Sequence, residues 1–379
     1  MAFDRRRGRS VRRRAILLLL GVAAACGLLP PGGVEIEVAH WAGLTCRRLE
    51  VAAGPEDLVV DQTAGVAYVA ATDRRALAGD AEVPPDGRIG RLLRVDLERD
   101  PPILEDVTPA ALRIPRFHPQ GLDLWVGEDG RAERLLVTDR RHGYDPETRS
   151  FDTCSIDNAV HILRIAGDGT LVPERTVADP DALVRLNDVA ATSRSTFYAT
   201  NDHAARTCFE RNLRDLFGRN GGHLVRYDGS RFATVAADLP FANGVAFDRA
   251  RGRIHVAASQ AGEIVTLTPE DGGFTRQTRL VGSAPDNLTL LPDGRLLVAA
   301  HPDRFAFLRY RLGWAATAPS QVLALDPTGE GPVREVFADD GSLFPAASVA
   351  ALYTPPRGPH QLILGTVYDS AILICRGAP

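Results

Sequence analysis

At 379 residues, 45% hydrophobic and 24% charged, the chain can bury a large core, and its length admits one large domain or two. Its 35 Gly and 26 Pro favour many short elements joined by turns over a helical protein. The formal charge is -4 while residues 1–14 hold seven Arg against one Asp, so the remainder is more acidic than the total and lacks the basic face that nucleic-acid binding requires.

The leader comes first. Arg12, Arg13 and Arg14 precede an uninterrupted apolar or small run from Ala15 to Leu29, closed by Pro30 and Pro31. That run is short for a membrane span, which needs about 20 residues, and it suits the core of an export signal. Ala23-Ala24-Ala25 offers a small-residue cleavage site; retention as an anchor and lipidation at Cys26 are the alternatives. The expected division is therefore a signal or membrane anchor over residues 1–33 and a single extracytoplasmic domain over residues 34–379. Export permits disulfides. Outside the leader four cysteines remain, Cys46, Cys154, Cys208 and Cys375. Cys46 and Cys375 lie at opposite ends of the body, and a bond between them would close nearly the whole chain into one loop. Cys154 and Cys208 are either a second bridge or two buried thiols.

In the body, a short apolar strand, a Gly or Asp turn and a second apolar strand recur six times. The first strands begin at Glu56-Asp57-Leu58, Gly121-Leu122-Asp123, Asn187-Asp188-Val189, Asn243-Gly244-Val245, Asp286-Asn287-Leu288 and Ser348-Val349-Ala350. Further strands follow within each unit, such as Arg91–Asp96 and His223–Asp228. Strand quartets at this interval predict an all-β, six-bladed β-propeller, against the alternatives of a β-sandwich or a solenoid. Two stretches break the pattern. Ala204–Phe217 and Phe305–Trp314 place aromatic and aliphatic residues at helical spacing among Arg, and are expected to be lid or rim helices.

In a propeller the first strand of each blade lines the central tunnel. Here those strands start with oxygen-bearing side chains: Glu56 and Asp57, Asn187 and Asp188, Asn243, Asp286 and Asn287. One such dipeptide could be a turn cap, but four blades presenting them at the same position describe a hard-cation site. Seven ligand side chains suit two ions better than one, and unpaired carboxylates in a tunnel would otherwise take up protons.

These residues, in this order, resemble the calcium-dependent paraoxonase/arylesterase family. So do Thr200-Asn201-Asp202-His203, Phe241-Ala242-Asn243-Gly244, His301-Pro302 and Gly365-Thr366-Val367-Tyr368, and the likeness runs from about Cys46 to Cys375. It implies two calcium ions: a catalytic one held by Glu56, Asn187, Asn243, Asp286 and Asn287, and a structural one held by Asp57, Asp188 and the backbone carbonyl of Leu122. It also implies a Cys46–Cys375 disulfide, and an upper ion acting as a Lewis acid on the substrate carbonyl or phosphoryl oxygen.

The chain departs from that pattern at the expected histidine pair. Gln120 stands immediately before Gly121, and Arg140 stands where the partner histidine belongs; neither side chain serves as a general base. His301, at a position resembling an active-site histidine of the family, is the first substitute. His203, His118 and Glu56 are the others. The expected activity is calcium-dependent hydrolysis of small-molecule esters or lactones. A calcium-stabilised binding propeller without catalysis, or a gluconolactonase-like enzyme acting on sugar lactones, are the competing readings.

Overall fold

The computed structural model describes residues 39–40, 44–216, 221–329 and 331–377. The leader, with its cleavage, anchoring and lipidation alternatives, lies outside the described residues. Among the described residues no helix is long and apolar enough to cross a membrane.

The chain folds as a six-bladed β-propeller. Blade one comprises Pro55–Asp61, Val66–Thr72, Gly90–Asp96 and Ile103–Asp106, numbered from the tunnel outward, and blades two to five repeat the order. Their innermost strands are Pro119–Val126, Leu186–Ala191, Ala242–Asp248 and Ala284–Leu290. Blade six supplies Ala347–Tyr353, His360–Thr366 and Ala371–Gly377, and takes its outer strand, Thr45–Glu50, from the start of the described body. Six residue pairs, from Thr45 opposite Arg376 to Glu50 opposite Ala371, close the ring. Cys46 faces Cys375 within that ladder and is bonded to it. The second bridge, Cys154–Cys208, is also formed.

Blades pack face to face, so inner and second strands are covered on both sides and read as apolar runs. Val66–Thr72 and Phe197–Asn201 are buried at every position. The outer strands face water and carry Arg, Thr and Gln, as in Gly273–Leu280. The core is a set of wedges between neighbouring blades. Leu58, Val69 and Val95 of blade one meet Val349, Tyr353 and Ile374 of blade six, and Leu136 and Ile162 of blade two meet Val189 and Phe197 of blade three. Each fully buried side chain of this size contributes about 1.5–3 kcal/mol.

Hydroxyl clamps tie the second or inner strand of one blade to the inner strand of the next. Thr72 Oγ1 donates to the Pro119 carbonyl, Thr138 to Asn187, Thr200 to Asn243 and Ser348 to Glu56, at 2.6–2.8 Å. Every clamp crosses from one blade to the next.

Among the described residues three α-helices and one 3-10 turn, Ala110–Leu112, interrupt the strands. The first, α1 (Arg74–Leu77), is a single turn capped by Asp73, whose side chain accepts from Ala76 N at 2.9 Å. The second, α2 (Cys208–Leu216), falls within the stretch where a helix was expected, and Cys208 tethers it to the loop holding Cys154. The third, α3 (Arg304–Arg311), is capped by Asp303, which accepts from Phe305 N and Ala306 N. Phe307 of α3 stacks on the His301 ring with centroids 3.9 Å apart, so this helix covers one site residue.

Candidate active site

Each innermost strand carries a register shift where the sequence places its oxygen-bearing residues. The shifts fall between Pro55 and Asp57, Pro119 and Leu122, Leu186 and Val189, Ala242 and Val245, Pro285 and Leu288, and Ala347 and Val349. A bulge places extra residues outside the ladder and re-aims their side chains. Glu56, Gln120, Asn187, Asn243 and Asp286 all sit at these bulges and are all buried. Close packing of neighbouring strands explains two glycines here. A Cβ on Gly121 would stand 2.6 Å from Asp188 Cα, and one on Gly244 would stand 2.6 Å from Asn287 Cα.

The three asparagines are oriented alike. Their NH2 groups donate to protein: Asn187 to Asp202 Oδ2 at 3.3 Å, Asn287 to the Glu56 carbonyl at 3.3 Å, and Asn243 to Ser259 Oγ at 3.1 Å and to Asp286 Oδ1. Their carbonyl oxygens, Asn187 Oδ1, Asn243 Oδ1 and Asn287 Oδ1, are buried and accept no hydrogen bond. Glu56 Oε2 is the fourth such oxygen; it lies 3.2 Å from Arg74 Nη2, an ion pair misaligned for a hydrogen bond. A buried acceptor without a donor costs about 1–3 kcal/mol, and four from four blades form a set that a cation satisfies. The donor set fits calcium, which takes carboxylate and amide oxygens at flexible geometry. Among the described residues no trio of His, Cys, Asp or Glu alone could hold a metal, so the amide oxygens are indispensable to this reading.

Two carboxylates lie deeper. Asp57 accepts from Leu58 N at 2.9 Å and Leu122 N at 2.6 Å; Asp188 accepts from Val189 N and Val245 N, both at 2.7 Å. In each case one donor belongs to the next blade, so these side chains join blades as well as facing the tunnel. Leu122, expected to offer its carbonyl, is recorded here through its N–H. Burial pushes both carboxyls well above the usual carboxylate range; Asp188 and Glu56 raise Asp57 further, whereas the Val245 and Val189 amides offset part of the rise at Asp188. Glu56 is raised too, by burial against the opposing pull of Arg74. Such groups either bind protons or hold a cation.

Sequence reasoning missed a third tunnel acid. Asp123 repeats the inter-blade pattern, accepting from Leu124 N at 2.8 Å and Ala191 N at 2.7 Å, and burial raises its pKa to about 6. The signal that could have found it is the Asp itself, flanked by Leu122 and Leu124 in the innermost strand.

His301 Nε2 lies 2.9 Å from Asp286 Oδ2. A carboxylate accepts, so Nε2 carries a proton; in the neutral ring the lone pair is then on Nδ1, and that nitrogen is buried without a hydrogen-bond partner. His203 is also buried, but its Nδ1 accepts from Ala205 N at 3.0 Å. His118 lies outside the bulge, its Nδ1 3.0 Å from the Arg140 carbonyl and its ring 5.3 Å from that of His142. Arg140 binds the Leu186 carbonyl through Nε and the Asp202 carboxylate through Nη2. Gln120 is buried beside it in the neighbouring strand. Hydrogen bonds thus join Asn243 to Asp286, Asp286 to His301 and Asn287 to the Glu56 carbonyl, while Asn187 turns to Asp202 and His203 Nδ1 to its own loop.

The family model for arylesterases matches residues 85–376. This chain belongs to the arylesterase family. Among the similar proteins, human serum paraoxonase/arylesterase 1 is 26% identical over 297 residues, covering 75% of this chain and 76% of that protein. Serum paraoxonase/arylesterase 2 of Canis lupus familiaris is 25% identical over 291 residues, with the same coverage. The fold is shared with a gluconolactonase from Xanthomonas campestris, at 14% identity and TM-score 0.52 over 92% of this chain and 98% of that one. It is also shared with the major Malassezia sympodialis allergen, at 10% identity and TM-score 0.55 over 87% and 95%. At such identities these two structures speak to the fold alone. Gln120 and Arg140 stand at the two positions where histidine was expected, and Arg140 forms a salt bridge to Asp202.

Proposed function

We propose that this arylesterase-family protein is an extracytoplasmic hydrolase of carboxylic esters or lactones that depends on calcium. The observation that carries the proposal is the set of three amide oxygens without donors, on Asn187, Asn243 and Asn287, with the Glu56 carboxylate, whose Oε2 meets Arg74, beside the Asp286–His301 pair. Glu56, Asn187, Asn243, Asp286 and Asn287 would hold the upper ion; Asp57, Asp188 and the Leu122 carbonyl would hold a deeper one. A hard divalent ion in such a set supplies Lewis-acid polarisation of a carbonyl oxygen.

The remaining chemistry belongs to side chains. His301 Nδ1 offers the lone pair that would take a proton from attacking water, and Asp286 fixes the ring and balances the charge once the ring is protonated. Phe307, stacked on the imidazole, shields one face from solvent. Gln120 supplies a neutral amide that orients substrate or water and exchanges no proton. Two disulfides support an oxidising compartment, which fits residues 1–33 acting as an export leader or anchor ahead of a domain over residues 34–379.

The replaced histidine pair favours one further reading, a calcium-stabilised binding propeller without turnover. Both readings meet in one experiment: phenyl acetate, γ-butyrolactone and gluconolactone offered to purified protein before and after EGTA, then after calcium is restored. Turnover that disappears and returns supports the hydrolase. Chelator-sensitive melting with no turnover on the whole panel selects the binding propeller.

A further inference from the structure

We infer that the mouth of this site selects esters or lactones carrying an oxyanion group, a carboxylate or a phosphate, and that Arg140 recognises that group; this rests on the ester and lactone reading above. Three guanidiniums surround the upper ligand level. Arg74 Nη2 pairs with Glu56 Oε2 at 3.2 Å. Arg140 meets Asp202, whose Oδ2 also accepts from the Asn187 amide, so one carboxylate separates Arg140 from a candidate ligand. Arg185 is buried behind them, and its hydrogen bonds go to backbone carbonyls: Ala205 at 3.2 Å, Cys154 at 3.1 Å, Ser155 at 3.3 Å and Thr153 at 3.4 Å.

Five carboxylates, on Glu56, Asp57, Asp188, Asp202 and Asp286, stand against these three cations. The two divalent ions proposed above would turn that excess of acid into a net positive site, in a buried setting where charge is poorly screened. Arg140 is the guanidinium placed to use that positive charge. Its side chain is 23% exposed, and Nη1 lies outside the contacts that hold Nε to the Leu186 carbonyl and Nη2 to Asp202. A permanently charged N–H donor favours carboxylate and phosphate oxygens. The imidazole expected at this position offers no permanent charge.

The test uses full-length protein with calcium and three acetyl esters: anionic 4-acetoxybenzoate and 4-acetoxyphenyl phosphate, and neutral methyl 4-acetoxybenzoate. The better anionic ester should exceed the neutral one in kcat/KM by about tenfold, mostly through KM, and the ratio should shrink as salt rises. The preferred anion distinguishes carboxylate from phosphate recognition. In Arg140→Gln the ratio should fall to about one. Arg140→Lys, which keeps the charge and loses the placed Nη1 donor, should fall between, and it serves if the first variant does not fold. Calorimetric titration with 4-hydroxybenzoate gives a readout independent of turnover. Binding that requires Arg140 without any ester hydrolysis would sustain the anion site and remove only the hydrolase reading. A wild-type ratio near one, or a ratio unchanged in both variants, overturns the inference.

Discussion

Asp286 and His301 face each other at 2.9 Å, Oδ2 against Nε2, and the same carboxylate receives the Asn243 amide on its other oxygen. One side chain therefore orients a base and belongs to the candidate ion site. His301→Ala should lower kcat by about 10²–10⁴-fold with calcium content unchanged. Asp286→Asn should lower both. Rates measured beside metal analysis of the same preparations check this, and full activity in His301→Ala assigns the base elsewhere.

The donor-less amide oxygens make a prediction that needs no substrate. Asn243→Ala and Asn287→Ala each remove one oxygen and should raise the calcium concentration that protects the fold. A ligand at 100 times its Kd stabilises by about 2.7 kcal/mol, so the wild-type melting temperature should fall on EGTA addition by an amount that thermal unfolding resolves. The variants should lose protection at higher free calcium than wild type. Superimposable melting curves with and without EGTA would count against any resident ion.

What the sequence disclosed and what it hid follow one physical rule. The candidate ligand positions stood out because four blades put an oxygen-bearing residue at the same bulge, so Glu56, Asn187, Asn243 and Asp286 repeat in register. Contacts between blades were not legible, because neither the Thr138 clamp on Asn187 nor the Asp57 contact with Leu122 has a short-range sequence signature. A common Thr near the end of the second strand, at Thr72, Thr138 and Thr200, was the available clue. Helix α1 escaped notice because four residues are too few to show a helical period; its Asp73 cap was the only mark. Arg140 was legible as a departure, while its partner Asp202 emerged only in three dimensions.

Asp123 makes stability depend on pH. Its carboxyl has a pKa of about 6 in the folded protein against an ordinary value of 3.8, so between those values the folded state binds more protons than the unfolded one. Stability from this group is present below pH 4 and is lost as pH rises towards 6. Arg249 lowers the pKa slightly, and the Ala191 and Leu124 amides lower it more, but burial wins. In calcium-free protein, Asp123→Asn should flatten the stability profile between pH 4 and 6. Absolute stability should also fall, since one amide N–H then faces an NH2 group. Urea unfolding at several pH values separates slope from offset, and an unchanged slope places the titration on another group.

The ring is closed at one seam, where Thr45–Glu50 pairs with Ala371–Gly377 and Cys46 is bonded to Cys375 across 329 residues of sequence. Removing a bridge that closes a loop this long should cost about 2–5 kcal/mol. Six residue pairs remain in the ladder, so Cys46→Ser/Cys375→Ser should still fold, with its first opening at this seam. Hydrogen exchange should accelerate in Thr45–Glu50 well before the inner strands. Cys154→Ser/Cys208→Ser frees only a loop and α2, so it should leave exchange at the seam unchanged. Equal acceleration across all six blades in the seam variant would mean that the ring opens as a single cooperative unit and that the bridge has no local role.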